Sequence, residues 1–183
     1  MLQALGPAAV DGLPGVMDNI ADVNADAGRF QEALAAQGKS HGLLRQLRGD
    51  GQLETVCGLH RTARLEALCD RFDDAVLHSD LAIEHSHQLG KGGRVRVRRF
   101  ANEVAFALLG KQQAARAVSI ARDSLEQAGE VAADDAGTRA RFTSDLAVCL
   151  QEAGELDAAQ AQFLAAREAS PDLPSERIDP LLQ

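Results

Sequence analysis

The charged side chains best suited to bind another molecule lie in one short segment. Five basic residues fall within nine positions: Lys91, Arg94, Arg96, Arg98 and Arg99. An arginine guanidinium can donate two hydrogen bonds to one carboxylate or phosphate, so such a cluster could recognise acidic groups of a partner. The alternative is a solvated helix start whose charge is balanced by nearby acids such as Asp73 and Asp74.

A second group of polar side chains combines histidines with acids. Its members are His78, His85, His87, Asp74, Asp80 and Glu84. Asp74 and His78 are four residues apart, which would allow an ion pair on a helix. A zinc site usually needs two histidines three or four residues apart, and this group has no such pair. The sequence therefore predicts a surface helix here and no metal.

Signals for catalysis and for nucleic-acid binding are missing from the sequence. There is no phosphate-cradling glycine loop and no nucleophile elbow, which favours a non-catalytic protein without a cofactor. The net charge of −8 argues against direct nucleic-acid binding, because phosphate contact needs a basic surface. The lack of Trp and Tyr also removes the stacking platforms of single-strand binders.

The distribution of cysteines and apolar residues bears on location. Cys57, Cys69 and Cys149 are odd in number and widely spaced among apolar neighbours, as expected of reduced core thiols. No 18-residue apolar run occurs, and no Lys or Arg precedes the short apolar stretch near the N-terminus. We therefore expect a cytoplasmic protein that does not span a membrane.

The elements that carry these residues are predicted to be helices, because alanine and leucine are frequent and only five prolines occur. A turn residue followed five positions later by an alanine recurs four times. The pairs are Gly28 and Ala33, Asp70 and Ala75, Gly110 and Ala115, and Gly154 and Ala159. The alanines are 42, 40 and 44 residues apart, and self-similarity of this kind indicates stacked helix-turn-helix units. The small alanine would let the two helices of a pair cross closely.

The last of these units resembles the tetratricopeptide repeat family. It places Gly154, Ala159, Phe163, Ala166 and Pro171 at the family's positions. The second unit keeps Ala75 and Ala82, with Ser79 where the large residue belongs. A period near 42 exceeds the usual length of about 34 residues. It is similar to the longer-helix variety in kinesin light chains and in the sensor regions of some bacterial regulators.

The resemblance implies an all-α protein, a right-handed α-solenoid of about four antiparallel helix pairs. We expect one domain over residues 1–183, with the first helix beginning at Pro14. The expected repeats cover residues 14–49, 52–90, 93–129 and 135–171, and residues 172–183 are expected to form a C-terminal tail or cap.

In solenoids of this kind the first helix of each pair lines the concave surface, which implies a peptide-binding groove. The arginines expected to form a basic strip there are Arg61, Arg64, Arg94, Arg98, Arg139 and Arg141. The first unit is acidic instead, so the groove would be graded from negative to positive. The partner would be a protein or peptide. The alternatives are a ligand- or peptide-responsive sensor module of a bacterial regulator, and a homodimer formed through an end helix.

Overall fold

The computed structural model describes residues 7–131 and 135–170, and over these ranges the chain forms eight α-helices and no β-strand. The helices are α1 (Pro7–Asp26), α2 (Phe30–Arg48), α3 (Leu53–Leu68), α4 (Phe72–Ser86), α5 (Lys91–Leu109), α6 (Ala114–Val131), α7 (Ala136–Glu152) and α8 (Leu156–Ala169). The all-α prediction is confirmed. Helix α5 includes residues 94–100, where basic and apolar residues alternate as they can in a strand.

The chain divides into two compact units, residues 1–89 and residues 90–183. In unit 1, helices α1 and α2, α2 and α3, and α3 and α4 pack against each other. In unit 2, the same pattern joins α5 to α6, α6 to α7 and α7 to α8, and α5 also touches α7. Each unit therefore consists of two helix pairs, packed so that every helix contacts its neighbour in sequence.

The same tight turn joins the two helices of every pair. Its central residue lies in the left-handed region at Gly28, Asp70, Gln112 and Gly154, with φ of 71°, 63°, 60° and 80°. The next N–H donates back to a carbonyl five residues earlier, as from Arg29 to Asn24 at 2.8 Å and from Gln113 to Leu108 at 2.9 Å. This is the Schellman way of ending a helix. Because the four turns are spaced by 42 residues, positions that differ by 42 are structurally equivalent, and we call this the 42-residue frame.

The third turn differs from the sequence alignment, which was wrong by two residues. Gly110 was expected to be the turn residue, but directly after α5 it keeps a right-handed φ of −58°, and Gln112 takes the left-handed position. The alanine five residues after Gln112 is Ala117, which is fully buried, whereas Ala115 is exposed. The physical reason is that a left-handed residue is usually, but not necessarily, a glycine.

Small buried side chains follow the 42-residue frame on both helices of each pair. On the second helices these are Ala33, Ala75, Ala117 and Ala159, and seven residues (two turns) later Ser40, Ala82, Ser124 and Ala166. On the first helices they are Ala21, Ala63, Ala105 and Ala147. None is more than 1% exposed. Small side chains at helix crossings allow the backbones to approach closely, so this pattern explains how the pairs pack.

The N-terminal boundary also differs from the prediction. Helix α1 begins at Pro7, and Pro14 lies inside it instead of at its start. The prediction relied on the preference of proline for the first helical turn. In the structure, the buried Ser40 hydroxyl of α2 donates to the Pro14 carbonyl at 3.1 Å. The predictions for Pro171 and for residues 172–183 lie outside the described residues.

A buried polar cluster replaces apolar residues inside the second pair. Glu66 of α3 is 2% exposed, and its Oε2 lies 2.6 Å from Nδ1 of His78 on α4. The Arg71 guanidinium lies 3.4 Å from the other Glu66 oxygen and pairs at 2.8 Å with Asp74. His78 therefore pairs with Glu66 of the partner helix, not with Asp74 as the sequence suggested. In the 42-residue frame the equivalents of Glu66 and His78 are Leu108 and Ile120, both buried.

The hydrogen bond to Glu66 is the main cause that raises the pKa of His78 above its ordinary value, although desolvation opposes it. A raised pKa in the folded state means that the pair stabilises the fold fully below the unfolded pKa. That contribution is lost as the pH rises through the raised pKa.

The first prediction tests the corrected frame. Ala117→Leu should destabilise the protein by about 1–3 kcal/mol, because it adds volume at a fully buried helix crossing. Ala115→Leu, two residues away but exposed, is the matched control and should change the unfolding free energy by less than about 0.5 kcal/mol. Urea unfolding followed by circular dichroism measures both. A larger loss from Ala115→Leu would contradict the frame.

The second prediction concerns the pH dependence of the Glu66–His78 pair. A double-mutant cycle of His78→Gln and Glu66→Gln, measured by urea unfolding, gives the coupling energy between the two side chains. We expect a favourable coupling at about pH 6 that shrinks towards about pH 9, because His78 loses its proton as the pH passes its raised pKa. A coupling that stays constant or grows over this range would show that the charged pair does not form.

Candidate partner-binding site

In unit 2, the two first helices contact each other directly and bring equivalent positions side by side. Asn102 of α5 is 2% exposed, and its amide donates to the Asp145 carboxylate of α7 at 2.7 Å. In the 42-residue frame Asn102 is equivalent to Ser144, the residue before Asp145. The hydrogen bond therefore holds equivalent turns of α5 and α7 next to each other.

Two arginines lie one turn before this hydrogen bond. Arg99 is three residues before Asn102, and Arg141 is three residues before Ser144, so the two arginines are equivalent. Residues three or four apart share one side of a helix. Arg99 is exposed and Arg141 is partly exposed, and within the described residues neither forms an ion pair. Two guanidinium groups on neighbouring helices can thus approach the same acidic group.

Two apolar side chains lie one turn after the hydrogen bond. Phe106 is four residues after Asn102 and is 38% exposed. Its equivalent on α7, Val148, is partly exposed. The resulting surface, which we call the α5–α7 face, comprises Arg99, Asn102 and Phe106 of α5 and Arg141, Ser144 and Val148 of α7. It has basic groups towards the N-terminal ends of the two helices and apolar groups towards their C-terminal ends.

A recess of about 450 Å³ opens beside Arg99 on α5. Its lining residues are Gly92, Val95, Arg96, Arg99, Phe100 and Glu103. The Arg96 guanidinium carbon lies 5.9 Å from the centre of the Phe100 ring, a cation–π arrangement that holds the charge against an apolar wall. The basic groups that face this recess are therefore Arg96 and Arg99.

The arginines proposed from the sequence do not all contribute to this surface. Arg98 is only 2% exposed and occupies the interior position of Val56 and Ala140, so it cannot bind a partner at the surface. Arg94 is partly buried, and Arg139 is exposed at a position equivalent to the buried Val97. Arg96 and Arg99 are exposed members of the basic cluster noted in the sequence, but they were not among the six arginines expected to form the basic strip. The equivalence of Arg99 and Arg141 in a strict 42-residue repeat was the signal that could have found them.

In unit 1, the equivalent helices carry different groups. Arg61 of α3 contacts two acids of α1, Asp18 at 2.8 Å and Asp22 at 3.4 Å. Asp18 and Arg61 are the frame equivalents of Asn102 and Asp145, so this pair joins neighbouring first helices as the hydrogen bond does in unit 2. Arg61 is therefore engaged within the chain and neutralises acids on which the predicted charge gradient depends. Arg64 is exposed.

Two other kinds of site find no support in the part of the chain that the structure describes. It contains no group of three or more His, Cys, Asp or Glu side chains arranged to hold a metal ion. No helix there is both long enough and apolar enough to cross a membrane. Burial raises the pKa of the Cys149 thiol to about 12, which keeps this thiol protonated in the core.

Comparison with known proteins relates the chain to helical repeats. Neither a family sequence model nor a curated protein sequence matches it. Crystal structures of the nearly identical TPR-like repeats of a Podosopora anserina protein of the kinesin light chain type do match. One has a TM-score of 0.64 at 16% identity, covering 85% of this chain and 74% of that one. Its Q17M form has a TM-score of 0.66 at 16% identity, covering 90% and 76%.

The structure of BtubC, also called BKLC, from P. vanneervenii is similar as well. It has a TM-score of 0.65 at 20% identity and covers 95% of this chain and 68% of that one. These identities are low, but the matched helices extend over most of each chain, and both matched proteins are helical. Together with the four equivalent turns, they show that the chain has the tetratricopeptide-like helical-repeat fold.

Proposed function

We propose that this chain is a non-catalytic protein-binding scaffold, and that the α5–α7 face binds a partner segment with a carboxylate next to an apolar side chain. The observation that carries the proposal is the repetition of this face. An arginine and an apolar residue occur at equivalent positions on two helices that contact each other, as Arg99 with Phe106 and Arg141 with Val148.

The basic half of the face suits carboxylates. Arg99 and Arg141 project from helices whose register is held by the hydrogen bond from Asn102 to Asp145. A guanidinium on a rigid element loses less freedom on binding than one on a loop. A charged hydrogen bond to a carboxylate contributes about 1.5–3 kcal/mol, so two such arginines can provide much of the energy of a micromolar complex.

The apolar half of the face adds contact area and direction. Phe106 is 38% exposed, and aromatic side chains available at the surface are common anchors of binding surfaces. A ligand that places its acid on Arg99 and Arg141 can place an apolar side chain on Phe106 and Val148. The reverse orientation would put the carboxylate over apolar groups, so the face favours one direction of binding.

The helical-repeat fold supports a binding role and not a particular partner. Stacked helix pairs present extended surfaces built from repeated positions, which is how such scaffolds bind proteins. The equivalent positions in unit 1 are Gly15 and Cys57 for the arginines, and Asp22 and Arg64 for the apolar pair. We therefore assign this recognition to unit 2.

The third prediction tests the α5–α7 face with a peptide array. Peptides that combine acidic and apolar residues should bind, and copies in which Asp and Glu are replaced by Asn and Gln should not. The double variant Arg99→Glu, Arg141→Glu should weaken binding at least about tenfold, with a reduced salt dependence. Phe106→Ala should weaken it without changing the salt dependence.

The matched control for this prediction is Arg122→Glu on α6. Arg122 is exposed at a frame position that is exposed in all four pairs, since Gly38, Asp80 and Leu164 are its equivalents. This variant changes the net charge in the same direction but should leave peptide binding unchanged. Equal binding of the amide peptides, or an equal loss with Arg122→Glu, would show that the face does not recognise carboxylates.

A further inference from the structure

The histidines of this chain are confined to one of its two units. All five lie between residues 41 and 87, and residues 90–183 contain none. An imidazole ordinarily exchanges its proton near pH 6.5, where unperturbed carboxylates, lysines and arginines do not titrate. A response of the fold to mild acid is therefore expected in unit 1. Two of these histidines, His78 and His85 of α4, act electrostatically on a third, His41 of α2.

His41 occupies an interior position of the 42-residue frame. Its equivalents on the next two second helices are Ile83 and Leu125, which are apolar and half-buried. The His41 ring packs on Gly58 of α3, where an added Cβ would lie only 3.3 Å from the ring carbon Cδ2. The equivalent of Gly58 on α7 is Phe142, which is completely buried. A polar ring on a glycine in the α2–α3 interface thus takes the place of two apolar side chains at the equivalent positions of α6 and α7.

The buried side of the His41 ring lacks an acceptor in the described part of the chain. A neutral imidazole carries one N–H, and the protonated ring carries two, so both of its nitrogens then need acceptors. Nε2 of His41 is buried and has no hydrogen-bond partner among the described residues. Protonation of the ring would place a positive charge and an unsatisfied N–H in the α2–α3 interface, and both are costly there.

The charges around His41 also oppose its protonation. Arg45 lies one turn later on α2, and His78 and His85 act on the ring from α4. The acid that acts on it is Asp50, in the turn after α2, but Asp50 is bound to Arg45 at 2.6 Å. Burial is the main cause that lowers the pKa of His41 below its ordinary value. Arg45 and then His78 add to this effect, and Asp50 opposes it.

Charged groups on α1 and α3, the two helices packed against α2, have partners of their own. The pairs are Arg48 with Glu54, Arg61 with Asp18 and Asp22, and His78 with Glu66. These acids are therefore engaged with other cations. His60 of α3 is buried, but it comes two residues after Gly58, and residues two apart do not face the same way on a helix.

We propose that the contact of His41 with Gly58 makes unit 1 acid-sensitive: protonation of the His41 ring loosens α2 from α3, whereas the equivalent interface of α6 with α7 does not respond. The ion pairs of Arg61 with Asp18 and Asp22 join α1 to α3 and contain no histidine, so this connection is kept while α2 loosens. The proposal does not depend on the α5–α7 face.

The direction of the effect follows from linkage between proton binding and folding. The pKa of His41 is lowered in the folded state, so its contribution to stability is fully present above the unfolded pKa of about 6.5. That contribution is lost as the pH falls from there towards the lowered pKa. His78 responds in the opposite direction, because its protonation strengthens the pair with Glu66. Mild acid would thus strengthen the contact of α3 with α4 while it weakens the contact of α2 with α3.

The test is amide hydrogen exchange of the whole chain at about pH 7.5 and about pH 5.5, corrected for intrinsic exchange rates, which reports how often each helix opens. We measure the protection of α2 amides relative to α6 amides. On acidification it should fall about threefold to tenfold more in the wild type than in His41→Gln. The reason is that one pH unit below its ordinary pKa an exposed imidazole is protonated about ten times as often as it is neutral.

A control variant and a second measurement separate this proposal from its alternatives. His87→Gln removes an exposed histidine at the end of α4 and should lose α2 protection as the wild type does. An NMR titration of the wild-type ring, which needs no variant, should show His41 titrating below about pH 6.5. Titration above that value would overturn the proposal. So would a loss of α2 protection that remains in His41→Gln but disappears in His78→Gln, because the response would then belong to the Glu66–His78 pair. Thermal melts by circular dichroism confirm that each variant is folded.

Discussion

The close crossing of two helices at a buried alanine is the constraint on which the rest of this protein depends. In this protein a left-handed residue lets the chain turn back tightly between two helices, and small side chains at their crossing let the two helices pack closely. The chain meets both conditions four times at intervals of 42 residues, from Gly28 and Ala33 to Gly154 and Ala159. The number of residues from that turn fixes the structural position of every other residue in a helix pair. This is why residues far apart in sequence, such as Arg99 and Arg141, take equivalent places.

Most of this arrangement can be predicted from the sequence, because the turn and the helix crossing each require particular residue types. Three of the four turns have Gly or Asp at the left-handed position, and alanine follows five residues later in each. The third turn could not be predicted, since Gly110 is a better candidate than Gln112 on conformational preference alone. Only a strict period of 42 residues would have predicted Gln112 as the left-handed residue of the third turn. A glutamine there costs some backbone energy, but packing of Ala117 and its neighbours over the whole α6 helix is sufficient to hold it.

Side chains at the other frame positions explain why the sequence resembled the tetratricopeptide repeat family clearly in the last helix pair and weakly in the other three. The position of Phe163 is buried in every pair, but it holds Gln37, Ser79 and Ala121 in the first three. The volume at one buried place therefore varies while its burial does not, because neighbouring side chains can fill the difference. Sequence comparison scores residue identity, so it does not detect a position that stays buried while its residue type varies. Exposure of arginines was unpredictable for a related reason, since Arg98 and Arg99 are adjacent in sequence but point to opposite environments on a helix.

A repeated frame also separates structural side chains from those available for binding. Where equivalent positions are all buried and small, as at Ser40, Ala82, Ser124 and Ala166, packing explains the residue and no further role is needed. Where equivalent positions at the surface change character, packing in the core does not explain the choice of residue. The Asn102–Asp145 and Asp18–Arg61 pairs connect first helices in both units, although their chemistry differs. By contrast, Arg99 and Arg141 of the α5–α7 face differ in type from their equivalents Gly15 and Cys57, and no ion pair within the described residues accounts for them. This departure from the repeat is the observation on which the proposed binding role of the α5–α7 face rests.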